Sequence, residues 1–171
     1  LARLLPARRH PKVVACIALY AQGDPRAELS RAVLAQASSL ARFLAGELHV
    51  LHVWEAFGES LLRSPVLAPM PQQQVEDYVV STKKERAGAL GSLLEECAIP
   101  PSEVHSHLGH GDVDVSAAAV CEREKASLAV FGWLPRTGLS GSLLKHTAEQ
   151  AAALVTCPVV AVPPVREAAT P

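Results

Sequence analysis

The residues best equipped for chemistry lie in one segment, GWLPRTGLSGSLLKHTAEQ, residues 132–150. It carries three glycines, Gly132, Gly138 and Gly141, among the basic side chains Arg136, Lys145 and His146. Glycines let backbone N–H groups approach a phosphate closely, a following helix start favours anions, and the basic residues add charge. The plainer reading is a long connection whose glycines only permit turns. Two enzyme motifs are absent. Gly138-Leu139-Ser140-Gly141-Ser142 lacks the G-x-S-x-G spacing of a nucleophile elbow, and no G-x-x-x-x-G-K-[ST] sequence occurs.

The histidines are the next candidates. His105, His107 and His110 fall close together with Asp112 nearby, and His105 and His107 share one face of a strand. Exposed strand histidines are common, and no metal site is expected. His49 and His52 fall on opposite faces of their strand, which makes them structural residues rather than a ligand pair. Cys16, Cys97, Cys121 and Cys157 are far apart and form no C-x-x-C pair, which predicts reduced thiols and a cytoplasmic protein. Trp54 and Trp133 end strands that flank the expected crevice and are candidates to line a pocket.

The elements that must position these residues alternate. KVVACIAL (12–19) is a nearly continuous apolar run, the pattern of a strand buried on both faces. Asp24 and Pro25 then signal a helix start, and apolar residues at helical spacing run from Leu29 to a stop at Gly46. ELHVLHVWE (47–55) is the second strand. Residues 56–71, with three prolines in PVLAPMP, are expected to be an exposed loop. A long helix with Val75, Val79, Thr82, Arg86, Leu90, Leu93, Leu94 and Cys97 on one side follows and ends at Pro100 and Pro101. EVHSHL (103–108) is a shorter strand near a sheet edge, and Asp112 caps a helix over 113–124. SLAVFG (127–132) is the fourth strand, a helix is expected over 142–155, and CPVVAV (157–162) is the fifth strand. This order implies an α/β, doubly wound parallel sheet with helices on both faces and ligands at the carboxyl ends of the strands. Residues 1–11 and 164–171 are tails around one domain, 12–163.

Bulk properties exclude several classes. With 49% apolar residues the chain can fill one core, and no apolar run approaches the ~20 residues that cross a bilayer, so membrane insertion is not expected. The N-terminus has no apolar stretch followed by a small-residue cleavage site, and no signal peptide is expected. Sixteen basic and 17 acidic residues are spread along the chain with few aromatics, a poor match to a nucleic-acid-binding surface.

The 132–150 segment resembles the signature of the universal stress protein family, especially the variant of its tandem-domain members. Arg136-Thr137-Gly138 and Thr147-Ala148-Glu149 match that variant, and Cys157-Pro158-Val159 matches the last strand. The likeness runs over about 12–163 and includes the GHGDV turn at 109–113. It implies five parallel strands in the order 3-2-1-4-5, ATP at the crevice in one branch, and a homodimer through the edge strand Cys157–Val162. It places candidate ligand-binding residues at Ala18, Val53, Phe131, Gly132, Arg136, Gly138, Lys145, His146 and Thr147. Three departures from the ATP-binding pattern stand out. Ala18 takes the place of its acidic residue, Pro135 that of its second glycine, and Lys145-His146 that of its glycine-serine pair. The expected function is a non-catalytic, dimeric stress-response or signalling module with an altered nucleotide site, a small anionic ligand and an unidentified partner. No cofactor is certain, and ATP is the one candidate. The alternative is an ATP-binding member with slow hydrolysis or autophosphorylation on Ser140 or Ser142.

Overall fold

A computed structural model describes residues 10–21, 23–64, 70–133 and 153–164. Five strands form one parallel sheet: β1 (Lys12–Ile17), β2 (Glu47–Trp54), β3 (Val104–His110), β4 (Leu128–Gly132) and β5 (Val159–Val162). Their order is β3-β2-β1-β4-β5, as the resemblance implies, with β3 and β5 at the edges. Among the described residues the α-helices placed whole are α1 (Ala27–Phe43), α2 (Glu59–Leu62), α3 (Gln72–Glu96) and α4 (Val113–Glu124).

Alternation along the buried strands feeds two cores. Val13, Ala15, Ile17, Val50 and Val130 pack with Val33, Leu34 and Ala37 of α1, and with Leu90 and Leu94 of α3. Val14, Leu51, Ala129 and Phe131 face the other way, onto Ala117, Val120 and Cys121 of α4. Continuous apolar runs such as KVVACI are therefore what a central parallel strand needs, because both of its faces are covered.

Several local expectations change. Strand β1 ends at Ile17, so Ala18 lies just beyond it. Helix α1 starts at Ala27, not at Pro25, because the Asp24 carboxylate accepts the Arg26 N–H at 2.9 Å and holds a turn there. Gly46 does not take the left-handed conformation that stops α1. Ala45 does, at φ +48°, while the Gly46 N–H closes back on the Ala41 carbonyl at 2.9 Å. Gly46 is required for another reason, since a Cβ there would run into the Pro11 carbonyl oxygen. The 56–71 loop contains the one-turn helix α2. Asp112 does occupy the residue before α4, but its side chain makes no capping hydrogen bond. The helix expected over 142–155 falls almost wholly outside the described residues.

Candidate functional site

At the carboxyl ends of β1 and β4 the sheet opens into a cavity of about 150 Å³. Such a crevice forms where neighbouring connections leave a parallel sheet in opposite directions. Ala18, Val53, Phe131 and Gly132 all line it, together with Cys16, Tyr20 and Ser30. Arg136, Gly138, Lys145, His146 and Thr147 lie outside the described residues, as does Pro135. None of the described lining residues is charged.

The polar groups in this crevice have other commitments. The Ser30 hydroxyl donates to the Ala18 carbonyl at 2.6 Å, which pins the end of β1 to α1. Burial pushes the Tyr20 phenol up from its ordinary pKa, with Arg26 opposing, and the Arg26 guanidinium sits 4.6 Å over the Tyr20 ring. Burial also pushes the Cys16 thiol well up, reinforced by Cys121 and Cys157, which disfavours the nucleophilic thiolate. Burial and the neighbouring Cys157 likewise push Cys121 up to about 12. The crevice can hold an apolar or aromatic group, and the described residues that line it carry no charge.

Gly132 has a packing role that the sequence reading did not supply. A Cβ built on it would lie 2.9 Å from both Cγ and Cδ2 of Leu29, a buried residue of α1. Gly132→Ala should therefore cost about 1–3 kcal/mol by overpacking, measured as a lower urea midpoint at unchanged slope. A neutral result would show that Leu29 has room to turn aside.

The tryptophans do not line this cavity. Trp54 is buried and Trp133 is 40% exposed. Trp54 instead meets His110, ring centroids 4.7 Å apart. His110 in turn bonds Glu59 at 2.8 Å, and Arg63 donates to the other Glu59 oxygen at 2.9 Å. Burial alone would raise the Glu59 carboxyl, but the hydrogen bonds from Arg63 and His110 hold it below the usual range. The Trp54 indole N–H and the His52 Nε2 are buried with no partner among the described residues.

The histidine group is also rearranged. His110 leaves it, and His49 joins His105 and His107. Strand register sets His49 beside His105 and Leu51 beside His107, so the three imidazoles stack on the α4 face of the sheet. His49 Nδ1 is 3.0 Å from His107 Nε2, and His49 Nε2 is 3.4 Å from Glu47. Arg123 donates to His107 Nδ1 at 3.0 Å. Burial holds both His49 and His107 below the ordinary imidazole range. Glu124 is held down to about 2 by hydrogen bonds from Arg123 and Lys12. Sequence reasoning missed this constellation because it spans two strands and the end of a helix. This group lies towards the amino ends of β2 and β3, away from the crevice at the carboxyl ends of the strands.

Residues 24–163, well over half of the chain, match the universal stress protein family. No protein of curated function matches. Among solved structures, a functionally unknown protein from Pseudomonas aeruginosa PAO1 is 21% identical with a TM-score of 0.63, covering 91% of this chain and 48% of its own. A putative universal stress protein from Pseudomonas aeruginosa UCBPP-PA14 is 19% identical over the same shares, also at 0.63. The chain thus spans about half the length of these two neighbours. A universal stress protein in complex with cAMP is 14% identical at a TM-score of 0.57, covering 90% of this chain and 96% of its own.

Proposed function

Since this chain belongs to the universal stress protein family, we propose that it is a non-catalytic stress-response or signalling module. It works as a dimer, and its altered crevice takes a small ligand rather than binding ATP tightly. One observation carries this reading: the described walls of the crevice hold no charged side chain, and Ala18 stands at the end of β1. Among the described residues that line this cavity, an adenosine finds no carboxylate to accept its hydroxyls. The Ser30 hydroxyl already donates to Ala18. A neighbouring hollow of about 640 Å³ shares Ala18, Tyr20 and Ser30 with this cavity and brings Asp24, Glu28 and Arg31 beside it. Pro135 removes a further backbone donor, because proline has no N–H.

A small anion would be held by Arg136 and Lys145, where a charge-assisted contact contributes about 1.5–3 kcal/mol. One structural neighbour is described in complex with cAMP, which makes that nucleotide the second ligand to try after Mg-ATP. Calorimetry at ordinary salt should give no tight Mg-ATP site. A micromolar dissociation constant with one site per chain, or ATP carried through purification, would overturn this reading in favour of the ATP-dependent one. Any weak anion binding should fall on Lys145→Ala and with rising salt, since screening acts on exposed charge.

A further inference from the structure

We propose that His49 Nδ1, His107 Nε2 and Glu124 Oε2 form a binding site for one divalent transition-metal ion of the zinc type. One ligand atom from each of the three residues lies within 4.8 Å of the other two. Two separations are fixed, 3.0 Å between the imidazole nitrogens and 4.0 Å from His49 Nδ1 to Glu124. A tetrahedral ion with bonds of ~2.0–2.1 Å spaces its ligand atoms about 3.3 Å apart. The observed distances bracket that value, so shifts of side chains suffice. Two imidazoles and a carboxylate are a donor set that suits zinc and leave one position open.

The surroundings favour a cation. Glu124 ends α4, and the carboxyl end of a helix carries partial negative charge. Glu47 accepts from the far ring nitrogen of His49 at 3.4 Å, the contact that commonly orients a metal-bound imidazole. His107 also lines a surface hollow of about 360 Å³ with Ser106, Gly109 and Arg123, which gives an ion a route in. The competing set Glu47, His49 and His105 is less suited, because His105 is 61% exposed and would have to be held still.

Two cations hold this cluster together without an ion. Lys12 Nζ is 3.0 Å from Glu124 Oε2 and 3.7 Å from Glu47 Oε2. Arg123 can only donate, so His107 Nδ1 accepts and its proton sits on Nε2, directed at His49 Nδ1. A bound ion takes the place of that proton, which moves to Nδ1 of the same ring. Arg123 must then turn away, and it keeps its 3.0 Å contact with Glu124 Oε1. Lys12 must release Glu124 Oε2. Both are flexible side chains with partial access to solvent.

The test is a zinc chloride titration of the chelator-stripped full chain by calorimetry, repeated with cobalt to read the absorption of a tetrahedral ion. We expect one ion per chain. His107→Gln and Glu124→Gln should each weaken zinc at least about tenfold, and Glu47→Gln by about tenfold through loss of orientation. Lys12→Met should strengthen it several-fold, a gain that no folding defect can mimic. His49→Gln alters a buried residue, so the partly exposed His107 and Glu124 carry the decision, each variant checked by thermal melting. No saturable binding by the unmodified chain overturns the proposal. So does unchanged affinity in both His107→Gln and Glu124→Gln, or an equal loss in His105→Gln, which would move the ion to Glu47, His49 and His105. Zinc binding that Lys12→Met fails to improve overturns the assignment of Glu124 Oε2.

Discussion

Phe131→Ala should lower the unfolding free energy by about 3–5 kcal/mol, the usual cost of deleting a buried phenylalanine. Phe131 is 1% exposed and is the largest of the fully buried side chains described. It sits on β4, an inner strand of the sheet, and packs with Val14 and Leu51 and with Ala117 and Val120 of α4. It also lines the crevice. The hole left by its ring opens towards that crevice, so water can enter and the low end of the range is expected. For a chain of this size the melting temperature should fall by roughly 6–20 °C. Phe131→Leu, which keeps most of the apolar volume, should recover over half of the loss. A cost below about 1 kcal/mol for alanine would mean that β4 and α4 do not meet as described. The same residue therefore supports the fold and shapes the pocket, and a ligand screen on the alanine variant must first correct for its lower stability.

Much of this architecture was legible because central parallel strands have a simple signature. β1 from Val13 onward and β4 are unbroken apolar runs, and their residues feed both cores alternately. The strand order came from the family likeness, since periodicity says which residues are buried but not which strands are neighbours. α4 was placed from 113 to 124 correctly even though the Asp112 side chain caps nothing. Left-handed Lys125, at φ +54°, ends it. Gly132 was read as a phosphate-loop glycine, and its contact with Leu29 depends on how α1 lies across β4, which no local pattern reveals.

The histidines show where the limit falls. The face of each was available from alternation, and the opposite placement of His49 and His52 held. His110 is three residues beyond His107, so extending β3 to 110 puts it on the other face; ending the strand at 108 hid that signal. The meeting of His49 with His107 depends on register between β2 and β3. Register is set by packing of whole strands, and a single sequence does not display it. The basic residues of 132–150 remain proposals for the same reason: their chemistry is readable, and their positions fall outside the described residues.

Ala161→Pro should convert the proposed dimer to monomer while leaving the pairing of β5 with β4 intact. β5 is an edge of the sheet, and an unpaired edge rich in valine is a template for a second strand. A symmetric pairing of two copies satisfies both edges with one surface. The ladder to β4 shows which groups remain for that partner. The Pro158 carbonyl accepts from Ala129 at 2.9 Å and the Val162 carbonyl accepts from Trp133 at 2.8 Å. With alternation, the backbone of Val160 also faces β4, while Val159 and Ala161 direct their N–H and carbonyl groups outward. Proline at 160 would therefore break the sheet inside one chain, and lysine at 160 would disturb a residue packed on the α1 core. Ala161 has an exposed side chain, and proline is tolerated on an edge strand where its missing N–H faces away from the sheet. Light scattering should report a dimer for the unmodified chain at micromolar concentration. Ala161→Pro should shift it to monomer with a melting temperature that no longer depends on concentration. A monomer for the unmodified chain at high concentration, or a dimer that survives Ala161→Pro, would remove β5 from the interface.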